Sequence, residues 1–558
     1  MIILGINFFF EHTSISIIKD GALLFFSEEE RFSGIKGGKR YSPYTLQFPY
    51  KSMYEALKFL GLKSCDINLI ALSYNRWAHL KGLFSKRWSW YDDLYALRSL
   101  FHLKRFFCSE YEMFQYMSDR ISINDIKKIP FICYDHHLSH AASAYCFSGY
   151  EQSLVLVADC CGEKSCTSLY LGTKQGIKKI KSFDIPNSLG ILYSVVTKHL
   201  GFNTFQDEYK VMGLASYGTD SYRREFGQLI TYDEDGNYAL NSKNLFALDL
   251  ILGPSRKNGE PISQRHKDIA KTLQSILEEV LIKMLKFYQH KTGVNKLCMA
   301  GGIALNCVAN GKIHSSQIFD DIFVQPASSD AGTSMGAAAL AHFKYSNEIQ
   351  IRYNDMYLGT EYSNEYIKEV LKQAKLKYQY LTDEDLVLKV AKKITKGEIG
   401  GIFRGRMEAG PRALGNRSVI ACPSFEDMLD RINTLKGREN FRPIAPIVKE
   451  DKFEDFFIGI KNRYMLFTCT VKNEMRLTIP AVTHVDNTSR VQTVTMESNR
   501  FIYTLLNECE KINGIPVIVN TSLNFRGKPI VENPIDAIGN FFSSGLDFLV
   551  IGNYLLEK

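Results

Sequence analysis

Two histidines four residues apart are the sharpest chemical signal in this chain. In DHHLSHAASAY, residues 135–145, a helix would put His136 and His140 on one face, the spacing that lets two imidazoles reach one metal ion. His137 and His140, three apart, form an alternative pair. Asp159 closes the apolar run SLVLVAD, and Asp330 sits in the small-residue turn SSDAGTS. Two imidazoles with two carboxylates suit a divalent transition metal with open positions better than a closed structural zinc site. A second concentration of chemistry is cationic. GPRALGNR (410–417) and KGRENFRP (436–443) interleave Arg and Lys with Gly, Pro and Asn and show no helical period. They read as ligand loops and not as a solvated helix face. Guanidinium forks and a lysine are what a dense phosphate charge requires.

Strand grammar places the first of these groups. Residues 2–6, 14–18 and 23–27 read as strands, with an Asp20-Gly21 turn between the last two. The same grammar returns at 153–184, where SLVLVAD, TSLYLG and IKKIKSFDI are strands joined by CCGEKSC and KQG. Two three-strand meanders, each followed by helical sequence, predict a duplicated α/β architecture of the sugar-kinase, actin and heat-shock ATPase type. The first link of each meander then faces a nucleotide's phosphates. Helical sequence over 266–292 leads to KLCMAGGIALNCVANGKI, a strand, a glycine turn and a helix start. The strand DIFVQP and the turn-to-helix ASSDAGTSMGAAALA follow. Such turns bring backbone N–H groups close to phosphate or ribose. The pattern restarts near 350 with helices over 364–374 and 384–396 and the strand IGGIFRG. Two domains are expected, 1–350 and 351–558, the second a separate α/β domain with no low-complexity linker before it.

The bulk numbers exclude more than they assign. At 558 residues, 45% apolar and 23% charged, the chain reads as globular, not as collagen, coiled coil or disorder. MIILGINFFF reads as a buried strand and not a signal peptide, and no apolar run is long enough to span a bilayer, so a cytoplasmic location is expected. The 12 cysteines form no CxxC pair, which suits a reduced protein. A net charge of +8 fits phosphate-bearing small ligands as well as nucleic acid. Residues 76–107 hold all three tryptophans, Trp77, Trp88 and Trp90, amid a basic excess. That stretch reads either as a helical pair with solvated cations or as a platform for an anionic acceptor or a membrane surface.

Longer motifs run through nearly the whole chain: EERFSGIK, DHHLSHAASAY, DEYKVMGLASYG, MAGGIALNCVANGK and SSDAGTSMGAA, then GRMEAGPRALGNRSVIA, LKGRENFRPIAPIV, HVDNTSRVQTV and NTSLNFRGKPIV. In these segments the chain resembles the nodulation protein U and cephalosporin carbamoyltransferase family, which includes the antibiotic O-carbamoyltransferases. The resemblance implies an actin/sugar-kinase-like (ASKHA) N-terminal domain similar to the tRNA threonylcarbamoyl transferase, and a YrdC-like α/β C-terminal domain. It implies an ATP-dependent O-carbamoyltransferase. Carbamoyl-adenylate would be made from carbamoyl phosphate and ATP, with Mg2+ accompanying the ATP, and the carbamoyl group passed to a hydroxyl of a small-molecule or glycan acceptor.

By the same carry-over, His136, His140, Asp159 and Asp330 would hold Fe2+ or a similar ion, with His12 beside the transferred group. Lys210, Gly213, Gly301, Gly302, Asn306 and Gly332 would line a nucleotide in the N-terminal domain. Arg412, Arg417, Lys436, Arg438, Arg442, Arg490, Asn520 and Asn524 would bind carbamoyl phosphate and ATP, with Lys436 and Arg442 catalytic alongside His12. Cys160 stands where the family has a glycine after the metal aspartate, and Thr13 where it has an acidic or small residue. A homodimer is one admissible assembly; neither a nucleic-acid partner nor a transmembrane segment is expected. Two other readings share the N-terminal fold, a tRNA threonylcarbamoyl-type enzyme and a non-catalytic nucleotide switch. The first would want a basic RNA-binding extension, and the second has no use for the histidine pair or the arginine loops.

Overall fold

The computed structural model describes residues 1–8, 10–38, 48–75, 129–257 and 259–558. The tryptophan-bearing stretch 76–107 lies outside the described residues. Two compact units emerge, Met1–Asn306 with Ser316–Asn354, and Cys307–Ser315 with Asp355–Lys558.

Alternation builds the first unit. β1 (Ile2–Asn7), β2 (Ser14–Lys19) and β3 (Ala22–Glu28) form an antiparallel meander. β4 (Leu69–Leu72) and β5 (Phe131–Cys133) extend it in parallel beyond β1, giving the order β3-β2-β1-β4-β5. β6 (Gln152–Ala158), β7 (Ser165–Thr173) and β8 (Gly176–Asp184) form a second meander. β9 (Lys296–Ala300) and β10 (Asp321–Val324) extend it in parallel beyond β6. The order β8-β7-β6-β9-β10 repeats the first sheet strand for strand and direction for direction.

Helices within the first 354 residues include α1 (Tyr50–Leu60), α2 (His136–Tyr145), α3 (Gln264–Thr292), α4 (Cys307–Ser315) and α5 (Thr333–Ser346). Ile15 and Ile17 face a core with Met53 and Ala56 of α1. Their neighbours on β2 take the other side, where Ser14 donates to the Ala331 carbonyl at 2.7 Å. α5 lies on that side of the first sheet and packs on α2, which lies on the second sheet. Small residues set how near the two helices come. A Cβ added at Gly336 of α5 would stand 1.7 Å from the Ser139 carbonyl oxygen of α2, and one at Gly5 would stand 2.1 Å from the Ser334 carbonyl. Because the obstructions are backbone, neither clash has a rotamer that relieves it. Gly336→Val is therefore expected to cost about 3 kcal/mol or more. It should lower the thermal midpoint by several degrees in calorimetry, and an unchanged midpoint would contradict the packing described.

Residues 307–315 belong with the second unit although the sequence pattern runs through them without a break. Asn310 Nδ2 donates to the Leu466 carbonyl at 2.9 Å, and the Thr468 N–H to the Cys307 carbonyl at 3.0 Å. That unit is built on an eight-stranded sheet. Its strands in chain order are β11 (Gln379–Tyr380), β12 (Gly400–Phe403), β13 (Arg417–Ala421), β14 (Ala445–Lys449), β15 (Gln492–Val494), β16 (Val517–Ser522), β17 (Phe548–Ile551) and β18 (Tyr554–Glu557). Their spatial order is β11-β18-β17-β12-β13-β16-β14-β15.

Both faces of this sheet are apolar, and alternate residues serve opposite faces. Ile402, Ile420, Ile518 and Val550 meet α6 (Asp383–Ile394). Phe403, Val419, Val519 and Leu549 meet α7 (Met428–Leu435). α8 (Arg500–Asn513) joins the first face and α9 (Pro534–Ser543) the second. Among the described residues no helix is long and apolar enough to cross a membrane.

Candidate functional site

Helix α2 begins at His136 because Asp135 caps it, its side chain accepting the Leu138 N–H. One helical turn then stacks His136 above His140, with their Nε2 atoms 3.2 Å apart. Asp159 follows the last residue of β6, and Asp330 opens the turn before α5. Asp330 Oδ1 is 3.4 Å from each Nε2, and Asp159 Oδ2 is 3.7 and 3.9 Å away. All four donor atoms lie within 4.8 Å of one another and all four residues are buried. Neighbouring ligands of a four-coordinate ion with bonds of about 2.0–2.2 Å sit roughly 3.3–3.6 Å apart. The observed separations bracket that range. Two neutral imidazoles and two carboxylates carry the charge that balances a divalent cation, so the donor set fits the metal that the sequence suggested.

By themselves, the two carboxylates draw positive charge onto His136. Burial opposes a charge on His136, but Asp159 and Asp330 hold its pKa well above the usual imidazole range. Burial likewise works against an ionised Asp330, and the two imidazoles overcome it and hold its carboxyl far below the usual range. His137 takes no part. Its Nδ1 bonds Ser168 Oγ at 2.9 Å, and burial with the two neighbouring imidazoles holds it neutral, so the alternative pair of His137 and His140 is not the one that converges. Cys160 is also outside the donor group. Its contact with Cys161, together with burial, pushes the thiol well above its usual pKa, the wrong direction for a thiolate ligand.

Glycines let the surrounding turns close in. Gly301 has φ +93°, and a Cβ there would lie 2.3 Å from the Ala158 carbonyl. The Gly302 N–H donates to Asp159 Oδ1 at 2.9 Å, fixing the carboxylate whose other oxygen faces the histidines. At Gly332 a side chain would meet the Ala327 carbonyl at 2.2 Å. Asn306 is tied by reciprocal amide bonds of 2.8 and 3.1 Å to Gln274 of α3. Lys210 pairs with Asp207 at 3.2 Å, and Gly213 is buried three residues on. His12 lies in the β1–β2 link with φ +52°. Asn7 Nδ2 donates to the carbonyls of Glu11 and His12 at 2.9 and 3.2 Å and so shapes that link.

The cationic residues of the second unit do not form one undivided cluster. Lys436 is buried, and its Nζ donates to the Ser522 and Asn524 carbonyls and to Asn524 Oδ1, each at 2.7 Å. Burial, with Arg438 and Arg442, pushes its pKa down. Three acceptors at that distance nevertheless require three N–H donors, and the geometry holds the ammonium form. Arg442 is 3.7 Å from Glu439. Arg412 precedes Ala413, whose carbonyl accepts from Asn520 Nδ2 at 2.9 Å. The Nε of Arg490 is buried and has no partner among the described residues. Arg417 is fully buried against the Phe403 ring, with its guanidinium donating to the Arg404, Gly405 and Asn416 carbonyls. The structure therefore makes Arg417 a strut of the loop before it.

Two family profiles cover the chain, Carbamoyltransferase N-terminus over residues 2–339 and Carbamoyltransferase C-terminus over 391–558. The chain belongs to the carbamoyltransferase family. Nodulation protein NolNO of Sinorhizobium fredii is 34% identical, covering 99% of this chain and 80% of its own length. Nodulation protein NolO of Bradyrhizobium diazoefficiens is 38% identical, over 76% of this chain and 79% of its own. An uncharacterized protein of Synechocystis sp. is 34% identical over 100% of this chain and 96% of its length. Among solved structures, full-length HypF in its phosphate- and nucleotide-bound form is similar over 62% of this chain and 56% of its own, at 11% identity and a TM-score of 0.38.

Several residues that shape this carbamoyltransferase's sites escape a reading of the sequence. The Phe10 ring lies 3.8 Å from the His136 ring, centroid to centroid, so the β1–β2 link touches the His2Asp2 group. Glu163, buried in the link after Asp159, accepts the His136 N–H at 3.0 Å and the Asn75 N–H at 2.8 Å. It places a carboxylate at the positive end of α2. In the second unit, Glu408 Oε1 gathers the N–H groups of Leu414, Asn416 and Arg417 at 2.8 to 2.9 Å and folds the GPRALGNR loop around itself.

Proposed function

We propose that this carbamoyltransferase is an ATP-dependent O-carbamoyltransferase that activates carbamoyl phosphate in its second unit and transfers the carbamoyl group in its first. The observation that carries the reading is that a buried His2Asp2 group and a set of cationic ligand loops belong to different compact units of one chain. The repeated strand order supports an ASKHA-type transfer unit, and the Lys436 and arginine loops support a YrdC-like activating one.

In the activating step, water removes the phosphoryl group of carbamoyl phosphate as inorganic phosphate. A carbamate oxygen then attacks the α-phosphorus of ATP, which reaches the site with Mg2+, and pyrophosphate leaves. Arg412, Arg438, Arg442 and Arg490 orient the phosphates, and Lys436 fixes the loop that carries Asn524. In the transfer step the acceptor hydroxyl attacks the carbamoyl carbon and AMP leaves. His12, held on its link by Asn7, takes the hydroxyl proton. His136, His140, Asp159 and Asp330 would hold a divalent ion, Fe2+ in the resemblance, which supplies Lewis acidity when bound. Gly301, Gly302 and Gly332 let backbone approach the AMP portion, with Lys210, Gly213 and Asn306 around it.

The acceptor is a hydroxyl-bearing small molecule or glycan. Pyrophosphate release that requires both ATP and carbamoyl phosphate, together with a carbamoyl mass increment on a screened acceptor, is the expected result. ATP turnover indifferent to carbamoyl phosphate would overturn the reading.

A further inference from the structure

Four residues after Asp159, the link between β6 and β7 turns back onto the start of α2, and Glu163 makes the join. The residue is 2% exposed. The His136 N–H donates to its Oε2 at 3.0 Å and to its Oε1 at 3.1 Å. The Asn75 N–H, arriving from beyond β4 in the first sheet, donates to Oε1 at 2.8 Å. Gly162 lets the link lie close here. A Cβ on it would stand 2.9 Å from His137 Cδ2 and 3.4 Å from His136 Cβ. The other end of the link is pinned as well. Ser188 Oγ donates to the Cys160 carbonyl, and the Gly302 N–H fixes Asp159 Oδ1. A short path therefore runs from Asp159 through Glu163 to His136, closed by the bond to the His136 N–H.

Capping alone does not account for this carboxylate, because Asp135 already caps α2 through the Leu138 N–H. What Glu163 adds is position. His136 is at once the first residue of the helix and one of the four donors, so holding its N–H sets where its imidazole stands relative to Asp159. Resting on the reading that the His2Asp2 group holds a divalent ion, we propose that Glu163 is a positioning residue of that site. It sets the separation of His136 and Asp159 and, through it, the affinity for the ion. Outer residues that orient ligands tune a metal in this way. Glu163 does so from outside the four donors, without occupying a coordination position.

Co2+ binding to the full chain tests the assignment without recourse to turnover. Competition with a chelator gives the affinity, and the visible absorption of bound Co2+ reports its coordination geometry. Glu163→Gln keeps the side chain's volume but sets an –NH2 against the His136 N–H, donor facing donor. It should bind Co2+ about 10- to 100-fold more weakly than the native protein and shift the absorption band. Asp135→Ala takes the other carboxylate from the same helix end and leaves the Asp159 link untouched. Its loss of affinity should be much smaller at a comparable fall in melting temperature. If Glu163→Gln does not fold, Glu163→Asp, a carboxylate drawn back by one carbon, carries the same expectation. Native affinity and an unchanged band in the residue 163 variant overturn the proposal. So do equal losses in the variants at 135 and 163, the mark of a residue that only caps the helix. A native protein that takes up no Co2+ removes the metal reading, and this proposal with it. Stoichiometric Co2+ binding that is indifferent to residue 163 removes the Glu163 assignment alone.

Discussion

His140→Ala is expected to strip the carbamoyltransferase of metal and stop carbamoyl transfer while pyrophosphate release continues at the native rate. The imidazole supplies one of four donors that lie within 4.8 Å of one another. Without it, Asp159 and Asp330 face each other across a buried space with one imidazole fewer to balance them. Disturbing a residue that merely orients a metal ligand costs about 10- to 100-fold in affinity. Loss of a ligand itself should cost at least that. The residues proposed to activate carbamoyl phosphate lie in the other compact unit, so on that proposal the first half-reaction has no reason to change. Metal content by mass spectrometry and the two half-reactions assayed separately are the measurements. A metal-free His140→Ala protein with full transfer activity would show that the His2Asp2 group has another purpose.

Lys436→Met should do the reverse, retaining metal and losing pyrophosphate release by about 100-fold or more. Methionine keeps the buried stem and deletes the ammonium. Three acceptors at 2.7 Å, the Ser522 and Asn524 carbonyls and Asn524 Oδ1, then lose the ammonium at once, with Ser522 Oγ still donating to Asn524 Oδ1. Each hydrogen bond to a charged group contributes about 1.5–3 kcal/mol to holding the loop, and misplacing loop residues by about 1 Å costs on the order of 100-fold in rate. The 522–528 loop loses its tether as well as its charge. Native pyrophosphate release in this variant would move the activating chemistry away from the second unit.

What was legible in the sequence was what short-range periodicity encodes. His136 and His140 could be paired because a helix repeats every 3.6 residues, and Asp159 and Asp330 could be placed because strands end in turns. The paired meanders were visible for the same reason, and the expected strands at 2–6, 14–18 and 23–27 fall within β1, β2 and β3. Glu163 and Glu408 were invisible because each bonds backbone N–H groups, which carry no residue identity to pattern against. Phe10 reads as one more apolar residue until the fold brings its ring to His136. Arg417 shows how far local sequence and fold can differ. Its Gly- and Asn-rich surroundings look like those of a phosphate ligand, yet three carbonyls occupy its guanidinium. Burial is a property of the whole sheet, and a single motif does not reveal it.

Helix α4 has a practical consequence for anyone who wishes to study the two half-reactions apart. The polypeptide passes from one unit to the other at residue 306, returns at 316 and leaves again at 355. Scission after Asn354 therefore distributes one folding unit over two fragments. The longer fragment keeps Asn310 and Gly311 without Leu466 and Thr468, and the shorter keeps Leu466 and Thr468 without the helix that satisfies them. Each piece would carry a raw surface that the intact chain never shows to water, the ordinary route to aggregation. Isolating one chemistry from the other calls for silencing substitutions in an uncut polypeptide, and for complementation between two such silenced proteins.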